Sequence, residues 1–377
     1  MKISTHLRKI SFFVIFFIQL NYVVSAENKT PTSLKQSIIL NSMPIQPVVE
    51  NLSGTHFVFI GENHTWYANH VKQLEFIQAI YEKNKNIVIG MEMFPNNANK
   101  HIADYIHGNS SETEFLKNTN YFLEWGYDYR YYKPILDFAR KNKIEVIGLN
   151  IKNEIVRKIG HSGFQNITRE EFQEIPDQID FANENYKKSL SEIFSYHPNS
   201  QSKISDNFYL AQLVRDEYMA QSAQKYFKEH PKSTLVLLVG NGHVEYGHGI
   251  PQRLHRMTGK PYKSILLDYP FKPGAADYFV YTKEIKIEKS PRLKVVLSTE
   301  TAQLVVKDFT EPENAAKHSL RKGDEVVSIN KMPIRSIADI RLVLYDKHPG
   351  DVLEISIIRD KKSETVKYTL EVYDRED

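Results

Sequence analysis

The feature that most constrains the fold is a set of short, almost continuously apolar runs. They are "HFVFIG" (56–61), "NIVIGMEMF" (86–94), "IEVIGLN" (144–150), "TLVLLVGNG" (234–242) and "KSILLDY" (263–269). Runs this short and this rich in β-branched residues read as strands, and their lack of polar alternation means that both faces are covered. Helical periodicity fills the gaps, at Ala68 to Glu82, Tyr132 to Asn142, Asn153 to Ile159 and Ser205 to Glu229. Strands and helices alternating at this spacing predict an α/β domain, a mostly parallel sheet with flanking helices. Residues 161–200 carry no strand signal and are expected to form a helical insertion over one face.

In an open parallel sheet, ligands gather beyond the carboxyl ends of the strands, where strand-to-helix loops and helix N-termini meet. The residues at the carboxyl end of each apolar run are therefore informative. The first run ends in Glu62 and His64, the second in Glu92, the third in Asn150 with Lys152 behind it, and the fourth in Asn241, Gly242 and His243. One such residue would be an ordinary capping group, whereas four strands delivering polar groups to one edge predict a site. Gly61, Gly240 and Gly242 leave room for sharp turns and close approach.

Three chemistries suit this set. Glu62, His64, Glu92 and His243 can ligate a divalent metal such as Mn, Co or Zn, with a bound water as nucleophile. Without metal, Glu62 or Glu92 can orient His64 or His243 as a general base. The imidazoles can also face a large cofactor such as haem, with Tyr or His as axial ligand. Spacing does not choose among them. The segment "YFLEWGYDYRYYK" (121–133) adds six Tyr, Phe and Trp side chains beside Tyr127 and Arg130. It reads either as core packing with surface tyrosines or as a ligand wall. "NGHVEYGHGIPQRLHR" (241–256) adds Tyr246, His248, Arg253 and His255, of which His248 and His255 are expected to face solvent.

The first residues resemble a secretory signal peptide: a basic start at Lys2, Arg8 and Lys9, an apolar core from Ile10 to Leu20, and small residues before a cut after Ala26. Cleavage there lowers the formal charge from +3 to zero, which removes any overall attraction for nucleic acid. There is no cysteine, so disulfides, thiolate metal sites, a Cys nucleophile and a lipidated N-terminal Cys are all excluded. An exported bacterial protein, periplasmic or secreted and not a lipoprotein, is expected. Residues 27–50 read as a polar arm, 51–285 as the α/β domain, and the charged stretch near Lys289 as a boundary. Residues 290–375 read as a small β-rich domain with short helices at "ENAAKHS" and "SIADIRLVLYD".

The segments "FIGENH", "MEMF", "YKPILDFARKNKIEVIGLNIKNEIVRKI", "QLVRDEYMAQSAQKYF" and "LVLLVGNGHVEYGHGIPQRL" resemble the ChaN-like haem-binding family. This family is grouped with the Tiki metalloproteases and erythromycin-esterase-like enzymes. The resemblance spans residues of about 50 to 270, and its motif is a pair of Gly-x-x-His boxes, 61–64 and 240–243, with the separate Glu92. It implies haem binding and iron acquisition in the bacterial envelope. In the Tiki branch it implies a divalent metal for peptide hydrolysis, held by the matching Glu62, His64, Glu92 and His243. For haem it implies His64 and His243 as contacts, Tyr129 or Tyr131 as a tyrosine ligand, and Arg130 beside the cofactor. The tail, 311–360, resembles a PDZ domain of the bacterial HtrA-like kind, with Leu320-x-x-Gly323-Asp324 leading into a strand. That implies docking of a protein or peptide partner. However, "RLKV" (292–295) lacks the glycine usual in the carboxylate-binding loop, so a structural or dimerising module, giving a homodimer, is the alternative.

Overall fold

Each apolar run becomes a strand. The computed structural model describes residues 38–41, 45–181, 183–195, 205–299, 303–311 and 319–372. The signal-peptide segment and all but the last residue of "ENAAKHS" lie outside the described residues. The first sheet contains β1 (Ile38–Asn41), β2 (Phe57–Glu62), β3 (Ile87–Pro95), β4 (Glu145–Asn150), β5 (Thr234–Gly240), β6 (Tyr262–Leu267) and β7 (Tyr278–Tyr281). All pairings are parallel, in the order β1-β7-β6-β2-β5-β3-β4. The chain leaves central β2 for β3 on one side and later returns to β6 on the other. The crevice of such a sheet opens where the strand order reverses. The neighbours β2, β5 and β3 therefore carry the ends that deliver Glu62, His243 and Glu92.

Helices cover both faces. Successive residues of β2 point to opposite sides, so Val58 and Ile60 enter one core while Phe57 and Phe59 enter the other. The first core is closed by α1 (Gln46–Asn51), α2 (Tyr67–Lys83), α3 (Asn99–Ile106), α4 (Glu112–Asn118), α5 (Tyr121–Glu124) and α6 (Lys133–Asn142). On the other side run α7 (Asn153–Ser162), the insertion helices α8 (Arg169–Phe172) and α9 (Glu184–Ser195), then α10 (Asp206–Glu229) and α11 (Ile250–Thr258). One expectation needs correcting. The stretch read as a polar arm contributes β1, which pairs with β7, and α1, whose Val48 and Val49 are buried in the core. Its apolar "SIIL" and "PVV" outweigh the polar composition around them.

The second sheet is antiparallel: β8 (Val295–Ser298), β9 (Leu304–Phe309), β10 (Glu325–Ile329), β11 (Met332–Pro333), β12 (Val352–Arg359) and β13 (Lys362–Thr369). Its order is β13-β12-β10-β9-β8, with β11 paired to β10, and α12 (Ile337–Leu344) closes its own core. This domain is seated on the first. Leu342 of α12 is buried in the α/β core, Tyr345 shares a hydrogen bond with Thr113 (3.0 Å), and Arg130 donates to the Glu288 carbonyl (2.8 Å).

Candidate functional site

Glu62 ends β2 with its side chain wholly buried. His64 Nδ1 lies 2.9 Å from Glu62 Oε1, and the Tyr132 hydroxyl donates to the same oxygen at 2.9 Å. On the other oxygen, His70 Nδ1 of α2 makes an ionic contact at 3.2 Å. Burial alone would raise the Glu62 carboxyl, but the His70 charge and the hydrogen bond from His64 outweigh it and hold it well below the ordinary range. His70 is correspondingly raised: burial opposes the charge, and Glu62 overcomes it. Burial keeps the Tyr132 phenol protonated, so it stays a donor. An ionised carboxylate only accepts, so Nδ1 of His64 carries the proton. Nε2 has no hydrogen-bond partner among the described residues, and in the neutral ring it holds the free lone pair.

A second carboxylate–imidazole dyad lies beside the first. His243 is set just beyond β5 in a short 3₁₀ turn, with Nε2 3.3 Å from Glu92 Oε1 and Nδ1 2.5 Å from Asp216 Oδ1. Tyr186 donates to the other Asp216 oxygen (2.5 Å), and the Gly240 N–H donates to Glu92 Oε2 (2.7 Å). For Glu92, burial is outweighed by His243 and the carboxyl sits at about 2. For His243, the two carboxylates outweigh burial and push the imidazole up to about 10. The dyads are packed tightly together. A Cβ at Gly240 would lie 2.9 Å from His64 Cε1, and one at Gly61 would lie 2.4 Å from Asn241 Oδ1, so a side chain at either position would force its neighbour to move.

The four Glu and His residues expected from the sequence therefore share one crevice. Other expected residues serve elsewhere. Asn150 donates to the Glu92 carbonyl (3.1 Å), and Asn241 donates to the Leu267 carbonyl (3.0 Å). Lys152 pairs with Glu174 (2.7 Å). Tyr129, only 1% exposed, is held in an aromatic core with its hydroxyl on Glu112 (2.9 Å). The structure does not bring it to the crevice. Tyr131 stacks on His70 at 5.3 Å, one ring removed from His64. Arg130 grips Asp128 (2.7 Å) at the domain junction, away from the imidazoles. Tyr246 adopts a left-handed backbone (φ 53°) beside His248. His248 is half-buried against Asn183 rather than solvent-facing, whereas His255 is exposed as expected. Arg253 is buried with Glu217 (3.0 Å).

Three residues central to the site were not anticipated: His70, Asp216 and Tyr132. Asp216 carried a readable signal. It falls on the apolar stripe of α10 that includes Leu213, Ala220 and Ala223, where a carboxylate needs a buried partner. His70 lies on the buried face of α2 with Phe76 and Ile77 nearby in sequence, a position that also suits an ordinary core histidine.

The residues fit an iron-bearing planar ligand through one atom, His64 Nε2. Its ring is oriented through Nδ1 by a carboxylate, the arrangement usual for a metal-bound imidazole. Its side chain is 25% exposed. Trp125 and Tyr127 flank it at 4.8 and 5.1 Å. A bare divalent metal fits less directly. Among the described residues, no three His, Asp or Glu side chains converge at metal-holding geometry, because each carboxylate already faces an imidazole.

The model of the family described as "Haem-binding uptake, Tiki superfamily, ChaN" matches residues 48–254, more than half of the chain. The chain belongs to this family. A PDZ-domain model matches residues 291–370. Among solved structures, ChaN of Campylobacter jejuni, whose structure is described as showing cofacial haem binding, aligns at 17% identity and TM-score 0.51. That alignment covers 63% of this chain and 91% of the other. At that identity the likeness speaks for the fold of the α/β domain. Weaker likenesses are to an erythromycin esterase EreC mutant (14% identity, TM-score 0.36, 59% and 71% covered) and, over the tail, to the HtrA-type protease AlgW with a tripeptide (18%, 0.21, 23% and 33%). No curated protein sequence matches the chain. Among the described residues, no helix of this ChaN-family chain is long and apolar enough to cross a membrane.

Proposed function

We propose that this ChaN-family protein is exported and binds haem at His64 in the service of haem or iron acquisition, while its PDZ domain docks a protein or peptide partner. The observation that carries the reading is the free Nε2 of a part-exposed imidazole whose other nitrogen is held by a buried carboxylate. Haem would supply an iron that can accept the lone pair of a nitrogen, and His64 would hold it. Glu62 fixes the ring through Nδ1, Tyr132 and His70 hold Glu62 in place, and Trp125 and Tyr127 offer flat apolar surface beside the ring. Titrating haemin into the mature protein should give a saturable Soret shift that is lost in His64→Ala. No shift at micromolar protein would refute the proposal.

A second reading, a metal-dependent hydrolase using Glu62, His64, Glu92 and His243, is favoured by one observation. Glu62 Oε2 and Glu92 Oε1 are buried without a well-formed hydrogen bond, at ionic distance only from their imidazoles. Stoichiometric Mn, Co or Zn in protein purified without chelator, lost in the His64→Ala, His243→Ala double mutant, would support it over haem.

A further inference from the structure

One loop of the α/β domain faces two ways. Residues 125–128 connect α5 to the 3₁₀ turn at Tyr129–Tyr131, and successive residues meet opposite partners. Trp125 and Tyr127 turn toward His64, their ring centres 4.8 and 5.1 Å from the imidazole. Gly126 and Asp128 meet the PDZ side instead. The Gly126 carbonyl accepts from Arg341 Nη1 of α12 at 2.6 Å. Asp128 accepts from the Ser290 hydroxyl at 2.7 Å, just before the PDZ domain begins. Gly126 makes the alternation possible, because its φ of +81° is the left-handed turn that ends α5.

Hydrogen bonds, rather than packing, fix the outer side of this loop. Gly126, Tyr127 and Asp128 line a cavity of about 300 Å³ that β8 and α12 also border, so no side chain presses them inward there. The loop's position matters because Trp125 meets the site twice. Its ring is part of the wall beside His64, and its Nε1–H donates to the Tyr132 hydroxyl at 3.2 Å. Tyr132 donates to Glu62, the carboxylate that orients His64. A shift of the loop therefore disturbs both the flat surface and the hydrogen-bond chain behind the imidazole, and a site is only as well set as the shell that supports it.

We infer that the PDZ domain is a structural part of the His64 site, with Arg341 and Ser290 as positioning residues that hold the Trp125–Tyr127 wall in place. The inference rests on the haem reading above for its ligand and on the loop for its anchor. Both residues act through the loop. Arg341 is exposed and bonds a single carbonyl, so it governs how well the wall is set before a ligand arrives rather than whether the chain folds.

The test uses the mature full-length protein. The sequence holds two tryptophans, Trp66 and Trp125, so Trp66→Phe leaves Trp125 as the only indole. In this parent, time-resolved fluorescence anisotropy without haemin reads the motion of Trp125, haemin titration reads the site, and urea denaturation reads the fold. Arg341→Ala and Ser290→Ala together should raise the haemin dissociation constant about tenfold and lower the residual anisotropy of Trp125, with the urea midpoint close to the parent's. Arg341→Lys keeps a cationic donor for the one carbonyl and should lie nearer the parent than Arg341→Ala does. Haemin affinity within about twofold of the parent overturns the inference. So does weaker haemin binding with unchanged Trp125 anisotropy, which would assign the two residues a direct effect on the ligand. A lost urea transition would mean that they hold the fold rather than the wall, and overturns it as well. If the parent itself fails to bind haemin, the haem reading falls, and Trp125 still decides the anchor: unchanged anisotropy in the double variant refutes it.

Discussion

Gly240→Ala isolates the packing of His64 from everything else in the site. The backbone at Gly240 (φ −60°, ψ 145°) is one that any residue adopts, so alanine brings no conformational strain. It does bring a Cβ to 2.9 Å from His64 Cε1 and 3.0 Å from Nε2, well inside van der Waals contact. β5 is central and paired on both sides, whereas the His64 side chain is partly exposed, so the ring yields rather than the strand. Moving the ring breaks its hydrogen bond to the ionised Glu62, worth about 1.5–3 kcal/mol. If haem takes Nε2, its dissociation constant rises roughly ten- to a hundredfold. Folding stability falls by only about 0.5–2.6 kcal/mol, because alanine also restricts the unfolded chain and offsets part of the loss. Haemin titration and urea denaturation measure the two quantities on one sample. In a His64→Ala background, Gly240→Ala should have no further effect on haemin. Retained haemin affinity within about twofold, or a stability loss above about 3 kcal/mol, would refute the reasoning.

Three further outcomes are expected. His70→Leu removes the cation facing buried Glu62 and should destabilise the fold by about 3 kcal/mol in urea denaturation; a loss below about 1 kcal/mol would mean that His70 is not charged there. His243 is raised to about 10, so its contribution to stability is fully present below the unfolded value of 6.5 and is lost as pH rises through 10. The stability difference between wild type and His243→Gln should therefore shrink between those pH values, and an NMR titration midpoint near the unfolded value would contradict the geometry. Leu342→Ala truncates the PDZ side chain buried in the α/β core and should cost about 3 kcal/mol in thermal unfolding; an unchanged midpoint would show that the two domains do not stabilise each other.

Much of this architecture was legible because burial on both faces leaves a plain mark. The runs that became β2, β3, β4, β5 and β6 are almost unbroken in apolar residues, and their carboxyl ends named the crevice. β1 was missed because four residues inside a polar stretch make a strand only when β7 is there to pair with them. Side-chain partners were less legible. Tyr129 and Tyr131 alternate in sequence in a way that suits a ligand wall, but the 3₁₀ turn at Tyr129–Tyr131 sends the first into the core and the second against His70. Arg130 looked free to meet an anionic cofactor until Asp128 and the Glu288 carbonyl supplied its partners. Such facts depend on which distant segments meet, and no local pattern records them.

The two Gly-x-x-His boxes look equivalent in sequence, and the fold makes them unequal. Both nitrogens of His243 face carboxylates, and those of His70 face Glu62 and the His64 carbonyl. Of these three imidazoles, His64 alone keeps one nitrogen without a partner among the described residues and part of its ring in contact with solvent. A ligand needing a single imidazole finds there a nitrogen that no side chain of the described residues engages. A metal needing His243 as well must first remove a proton that Asp216 and Glu92 hold, at a cost on the order of 4 kcal/mol at neutral pH. That asymmetry favours iron taken at the surface by His64 over a buried ion shared among four residues, and it separates the two by pH. Divalent-metal affinity through His243 should tighten about tenfold per pH unit from 7 toward 10. Haemin affinity in the His243→Gln variant should track that of the wild type over the same range. A haemin affinity that instead follows the His243 titration would place the iron between both imidazoles and refute the single-ligand site.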